Sequence, residues 1–152
     1  MKAVLQRVLS AKVTVNDSVI GEVGKGYLVL LGIEKGDSMQ DAEILAKKTA
    51  NLRVFEDEKG KLNLSLLDRG GSVLVVSNFT LCADSTKGCR PSFLNAAPSE
   101  NAKELYKAYC GYLKETGVDH IQTGRFGADM QISLVGDGPV TILIDTKELR
   151  KK

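Results

Sequence analysis

Val135-Gly136-Asp137-Gly138-Pro139-Val140-Thr141 lies between two β-rich runs, Met130 to Val135 and Val140 to Ile144. How these residues fold decides how the second half of the chain is built. Glycine frees the backbone, while proline fixes φ and gives a ladder no N–H, so Gly138-Pro139 predicts a break where a strand begins. X-Pro is also the bond type that readily goes cis, which would turn both flanking carbonyls the same way and make a rigid pair of acceptors. A tight turn at a strand start explains the same residues, and on this stretch alone it is the favoured reading.

Upstream, apolar residues fall into strand and helix periods. Val4, Gln6 and Val8 alternate with Leu5 and Arg7, and Lys12 to Val15 and Val19 to Val23 flank Asn16-Asp17-Ser18, which predicts a first strand followed by a hairpin. Tyr27 to Ile33 is apolar throughout, as in a strand covered on both faces. Ser38 offers an N-cap with Asp41 three residues on, and Ala42, Leu45, Ala46, Thr49 and Leu52 recur at helical spacing. Another short strand begins between Leu52 and Phe55. Gly70-Gly71 introduces the buried strand Ser72 to Ser77, which runs directly into Asn78-Phe79-Thr80-Leu81. The loop Cys82 to Pro98 is long enough to suggest function. Pro98 and Ser99 open a second helix carrying Ala102, Leu105, Tyr106, Tyr109 and Leu113 on one face, stopped by Gly117. Two helices among about eight strands predict a mixed α/β domain spanning residues 1–152, with sheet layers covered by helices on one side only.

Composition narrows the function classes. A chain of 152 residues, 43% hydrophobic and 26% charged, suits one domain with a real core. The net charge of +2 does not by itself mark a nucleic-acid protein, and Lys147, Arg150, Lys151 and Lys152 read as a solvated tail. Cys82, Cys89 and Cys110 form no C-x-x-C, which argues against a disulfide framework or a zinc site and fits a reducing cytoplasm. Gln6 and Arg7 interrupt the apolar N-terminus, so no signal peptide is expected, and no run reaches membrane-spanning length.

Most catalytic constellations are missing. His120 is the only histidine and falls in a predicted surface turn after Gly117-Val118-Asp119. Ser77 and Thr80 could supply a nucleophile, but neither has a histidine neighbour to activate it, and strand-end hydrogen bonding explains both. An enzyme made of these parts would rely on positioning and backbone N–H donors, which suits a bond that is already labile.

Four separated stretches together resemble the D-aminoacyl-tRNA deacylase family. They are Ala3 to Val8, Ser77-Asn78-Phe79-Thr80-Leu81, Lys87 to Phe93, and Gly124 to Met130 with Gly138-Pro139-Val140-Thr141. The resemblance implies a barrel-like mixed sheet with two main helices packed on one side, a three-layer α/β/β arrangement, in a cytoplasmic homodimer. It implies a cofactor-free hydrolase that cleaves the ester joining a D-amino acid, or glycine, to the 3′ end of tRNA. By resemblance, Gly138-Pro139 is a Gly-cisPro pair inserted into the partner's site, where its carbonyls leave no room for an L side chain; selectivity is then rejection.

Other roles carry over on matching positions. The family's Ser-Gln-x-Thr reads here Ser77-Asn78-Phe79-Thr80, with Asn78 one methylene shorter, so that a hydrogen bond made by the longer amide would be lost or water-mediated. Ser77, Phe79 and Thr80 are the implied catalytic set, the N–H groups of Phe79 and Thr80 being the oxyanion donors. Thr80 is one candidate nucleophile; the preferred alternative is a water assisted by the tRNA's terminal 2′-OH. Phe126 and Met130 match positions that line the terminal adenosine's pocket. Arg7 matches a residue bracing the Gly-Pro carbonyls, with a water-facing side chain as the alternative. Lys87 and Arg90 are expected to meet tRNA phosphates. From another class, a non-catalytic tRNA-binding dimer would use Lys87, Arg90 and the C-terminal basic cluster and hydrolyse nothing.

Overall fold

A computed structural model describes residues 1–151, so Lys152 of the C-terminal cluster lies outside the described residues. The first strand, β1 (Lys2–Val15), organises the sheet: β3 (Gly26–Gly32) pairs with its first half and β2 (Ser18–Val23) with its second. Asn16 and Asp17 take positive φ (47° and 61°) and make the two-residue turn into β2, a conformation that matches hairpin twist. The predicted first strand and the hairpin's first arm are therefore one strand. The register of β1 shifts around Arg7 and Leu9, and a bulge of this kind changes which alternate residues face inward. Ala3 and Leu5 before it pack into the core beneath the helices, whereas Val8, Ala11 and Val13 pack inside the curved sheet.

The centre of the sheet is buried on both faces, as the unbroken apolar runs predict. β6 (Ser72–Ser77) runs parallel to β3, and β7 (Ile121–Thr123) parallel to β6. Val29, Leu31, Val73 and Val75 meet the helices, while Leu28, Leu74 and Val76 fill the interior. Parallel pairs need crossovers, which carry α1 (Met39–Asn51) and α3 (Ser99–Glu115). In the first crossover lie a small hairpin, β4 (Phe55–Glu56) and β5 (Leu62–Leu64), and the one-turn α2 (Leu66–Arg69). α1 and α3 pack against each other, tied by the Tyr109 hydroxyl donating to Thr49 Oγ1 at 2.9 Å. β2 and β7, the ends of the sheet path, approach each other and leave the barrel nearly closed.

Besides the two main helices, α1 and α3, the one-turn α2 and α4 (Thr146–Leu149) also pack on the sheet; both are too short to show an apolar period. The break expected at Gly138-Pro139 is local: β8 (Gln131–Asp145) is one strand antiparallel to β1, but its register jumps from Thr141 opposite Gln6 to Gly136 opposite Val8, so Asp137 to Val140 have no partner on β1. Among the described residues β8 pairs with β1 alone, and Pro139 falls in this unpaired stretch, so its missing donor costs no ladder bond.

Candidate active site

The ends of β3 and β6 lie side by side, with Leu31 opposite Ser77. There the Asn78 N–H donates to the Leu31 carbonyl at 2.8 Å and the chain enters a 3₁₀ turn, Phe79–Cys82. A Cβ at Gly32 would lie 2.8 Å from Leu81 Cβ and 3.1 Å from the Asn78 carbonyl, so only glycine lets this turn sit on β3. The Cys82 thiol donates to the Ile33 carbonyl at 3.4 Å and holds the other end. Phe79 and Thr80 open the turn, where N–H groups have no acceptor within it.

Beside this tip is a cavity of about 620 Å³, a size ordinary for a small-ligand site. Ser77, Asn78, Phe79 and Thr80 line one side, Phe126 and Met130 another, and Ala96 and Ala97 a third. Phe126 leans on Tyr106 of α3 with ring centroids 5.7 Å apart, and the Tyr106 hydroxyl donates to the Val75 carbonyl at 2.7 Å. The Ala96–Ala97 wall is stitched to the chain after β3: the Lys35 N–H donates to the Asn95 carbonyl at 2.9 Å, and the Ala97 N–H to the Ile33 carbonyl at 3.0 Å. Between them Glu34 is buried, with Lys147 at 2.7 Å and Lys2 at 3.1 Å. Burial alone would raise the Glu34 carboxyl pKa, but hydrogen bonds and charge from Lys147 and Lys2 outweigh it and hold it below the ordinary value.

The cavity is poor in acid–base groups. Among the described residues its only titratable lining side chain is Asp129, and the Thr80 hydroxyl donates to the Asn78 side-chain oxygen. That amide is no proton acceptor of useful basicity, although Asn78 does keep a direct hydrogen bond. His120 is exposed, and only its carbonyl has a structural task, accepting the Val73 N–H at 2.8 Å. Burial pushes the Cys110 thiol up to about 12 and, with the Glu34 charge second, raises that of Cys82, so neither is an activated thiolate. Among the described residues no three His, Cys, Asp or Glu side chains cluster as metal ligands.

Gly138 and Pro139 lie elsewhere. Neither lines this cavity; both are exposed on β8, joined by a cis peptide bond, with Gly138 at φ +135°. Exposed Leu134, Val135 and Leu143 share the strand. Behind it Arg7 is only 5% exposed, which overturns the water-facing alternative. Its Nε donates to the Asp137 carbonyl at 3.2 Å and lies 3.1 Å from the Asp137 carboxylate, while Nη1 donates to the Val54 carbonyl at 2.6 Å. The guanidinium thus holds the residue before Gly138 rather than the Gly138 or Pro139 carbonyl. Lys87 and Arg90 are exposed on an excursion whose base is closed by Asp84 and Ser92, which exchange two backbone hydrogen bonds at 2.8 Å.

Among the lining residues the sequence reading did not single out are Ala96, Ala97 and Asp129. Ala96 and Ala97 carry no chemistry, and their only signal is small size directly before a helix start. Asp129 stood beside Met130 in a quoted motif but had no partner in sequence to single it out.

The arrangement has close relatives. A family model described as D-Tyr-tRNA(Tyr) deacylase matches residues 4–145. Proteins named D-aminoacyl-tRNA deacylase from Roseiflexus sp. (strain RS-1) and Thermus aquaticus are 56% and 55% identical, covering 99% and 97% of this chain and 97% of each relative. A solved structure described as c-Myc DNA Unwinding Element Binding Protein superposes with a TM-score of 0.90 at 44% identity, covering 95% of this chain and 98% of its own. A probable eukaryotic D-amino acid tRNA deacylase shares the fold at 16% identity, with a TM-score of 0.81 over 94% of this chain and 97% of its own. Matched from its first strand to its last, the chain belongs to the D-aminoacyl-tRNA deacylase family, hydrolases that act on the ester bond of aminoacyl-tRNA.

Proposed function

We propose that this protein removes D-amino acids, and glycine, from the 3′ end of tRNA in the cavity beside the Ser77–Thr80 tip, and spares L-amino acids. The observation that carries this is a pocket with two turn-opening N–H groups, at Phe79 and Thr80, whose only titratable lining side chain among the described residues is Asp129. Such a site can stabilise an oxyanion while leaving activation of water to the substrate, and an aminoacyl ester beside a ribose 2′-OH is labile enough for that. The terminal adenosine lies against Phe126 and Met130, and the ester carbonyl points at the Phe79 and Thr80 N–H groups. Thr80, whose hydroxyl is engaged with Asn78, acts as a positioning group and not as the nucleophile.

Stereoselectivity in this reading comes from a second copy. Carbonyls of the partner subunit's Gly138 and Pro139 sit against the substrate's α-carbon on the side an L side chain would occupy. Glycine has nothing to reject, and a D side chain points away. Support for a dimer comes from β8, a long edge strand with an unpaired side and exposed Leu134, Val135 and Leu143; native sheets rarely leave such an edge uncovered. No helix among the described residues is long and apolar enough to cross a membrane, and a tRNA substrate places the work in the cytoplasm.

The test is amino acid release from D-Tyr-tRNA and L-Tyr-tRNA in parallel. Rapid loss of the D ester with the L ester spared supports the reading; survival of both, with the RNA still bound, replaces it with a tRNA-binding module. Sedimentation of Val135→Lys checks the dimer, the expected outcome being a monomer that no longer separates D from L esters.

A further inference from the structure

Phe79 is shared between the cavity and the surface: it lines the pocket yet is 60% exposed. Phe93 meets it edge-on, with ring centroids 5.2 Å apart and planes at 69°, and is itself 38% exposed, followed by Leu94 at 77%. Two large rings in contact beside the cavity, with an exposed leucine next in the chain, are costly to leave in water unless something covers them. They are also fixed in place. Phe79 belongs to the turn anchored on Gly32, Phe93 follows directly on the Asp84–Ser92 bridge, and Asn95 to Ala97 are hydrogen-bonded to the chain after β3.

The same bridge closes the excursion that carries Lys87 and Arg90. Its one carboxylate, Asp84, is occupied within the loop, accepting from the Thr86 N–H at 2.9 Å and from the Thr86 hydroxyl at 2.6 Å. The pocket's turn, the Phe79–Phe93 pair in contact with it, and the loop with two exposed cations whose base lies directly before Phe93 are therefore continuous. This order suits a single-stranded nucleic acid end, whose bases stack on aromatic faces while its phosphates follow positive charge.

We propose that Phe93, with Leu94 and the outer part of Phe79, is a stacking step for the nucleotide next to the terminal adenosine, and that Lys87 and Arg90 meet the phosphates on either side of it. The inference rests on the proposed reaction for its direction: the ester lies in the cavity, so the preceding nucleotide leaves through the mouth. Its occupant is an unpaired RNA 3′ end and not a protein. The excess positive charge of the loop and its continuity with the cavity favour RNA over an apolar partner.

The test compares D-Tyr-tRNA with D-tyrosyl-adenosine, which lacks the preceding nucleotide, and uses Phe93→Leu, which keeps an apolar neighbour for Phe79 but removes the ring. Stacking on one side chain is typically worth enough to predict an increase in KM of about tenfold for D-Tyr-tRNA, with little change in kcat and with Phe93→Tyr restoring the wild-type value. D-Tyr-tRNA made abasic at the penultimate position should raise the wild-type KM similarly and be insensitive to Phe93→Leu. Equal KM for wild type and Phe93→Leu on intact D-Tyr-tRNA overturns the step, and so does an equal loss on D-tyrosyl-adenosine, which would mark a packing role. If wild type hydrolyses neither ester the esterase reading fails, and the step is then decided by binding of an uncharged acceptor-stem RNA ending in CCA. Weaker binding by Phe93→Leu, absent when the penultimate base is missing, supports it; equal binding overturns it.

Discussion

The Ser77–Thr80 tip and Gly138-Pro139 are both short interruptions of apolar strands, but they are held in opposite ways. The tip is gripped on several sides by its own chain: Leu31 at its start, Gly32 beneath, Cys82 behind and α3 across the cavity. Gly138-Pro139 is braced from one side only, by Arg7 through Asp137, and its other side is open along the free edge of β8. A site finished within one chain can fix backbone donors to fractions of an ångström. A segment finished on one side only is suited to a surface supplied by another molecule.

The largest effect is expected where the tip meets β3. Gly32→Ala would drive a methyl group against Leu81 Cβ and the Asn78 carbonyl, and displacing positioned donors by about an ångström costs on the order of 100-fold in rate. Single-turnover deacylation should show that loss for D-Tyr-tRNA, with the melting temperature reporting any stability change. Full activity in Gly32→Ala would mean that the tip tolerates displacement and that the contrast with β8 is false.

Arg7→Met probes the other side. It strips the donor from the Val54 carbonyl and leaves Asp137 unpaired, which should cost about 1–3 kcal/mol in urea unfolding. The D-to-L ratio should also fall, by about tenfold, as expected for about 1.4 kcal/mol of lost discrimination. A destabilised variant that discriminates as well as wild type would show that Gly138-Pro139 needs no brace from behind.

Thr80→Ala separates donor from nucleophile. If the backbone N–H groups do the work, the variant keeps activity within about tenfold of wild type, whereas removing a true nucleophile costs on the order of 10⁴-fold or more. Near-complete loss in a correctly folded protein would return Thr80 to covalent catalysis.

The smallest effect concerns the ion cluster behind the cavity wall. The Glu34 carboxyl is held below its ordinary value of 4.5, so its pairing stabilises the fold fully above that pH and fades as pH falls through the lower folded value. Lys147 is half exposed, which limits its share to less than about 1 kcal/mol. Lys147→Met should therefore melt slightly below wild type at pH 7, with the gap closing as the solution is taken well below pH 4.5. A gap that persists in acid would assign the effect to packing of the lysine stem.

Much of the fold was legible because burial writes itself into sequence. Tyr27 to Gly32 and Val73 to Val76 are covered on both faces and are continuously apolar, and Ser38 with Asp41 marks the start of α1, where the Ser38 N–H donates to the Asp41 carboxylate at 2.8 Å. The one-turn helices were not legible, since four residues cannot show a period of 3.6. Ser65 and Asp68 do form a readable cap at α2, but a cap alone does not announce how short its helix is. The interruption at Gly138-Pro139 was legible, but not that the chain resumes the same ladder on β1 beyond it, which only the pairing of both halves of β8 with β1 shows.

The sequence by itself determined the period of each long element, the scarcity of acid–base groups, and the motifs that carry the family resemblance, because these are properties of residue type and spacing. Only the tertiary structure decided that Arg7 is buried against Asp137 and Val54, that Ala96 and Ala97 wall the cavity, and that Phe93 meets Phe79 at its mouth. Each of those depends on a bulge, a crossover or a loop bridge that brings together residues distant in the chain. No local pattern encodes such a meeting, because burial and pairing are fixed by where the whole sheet closes.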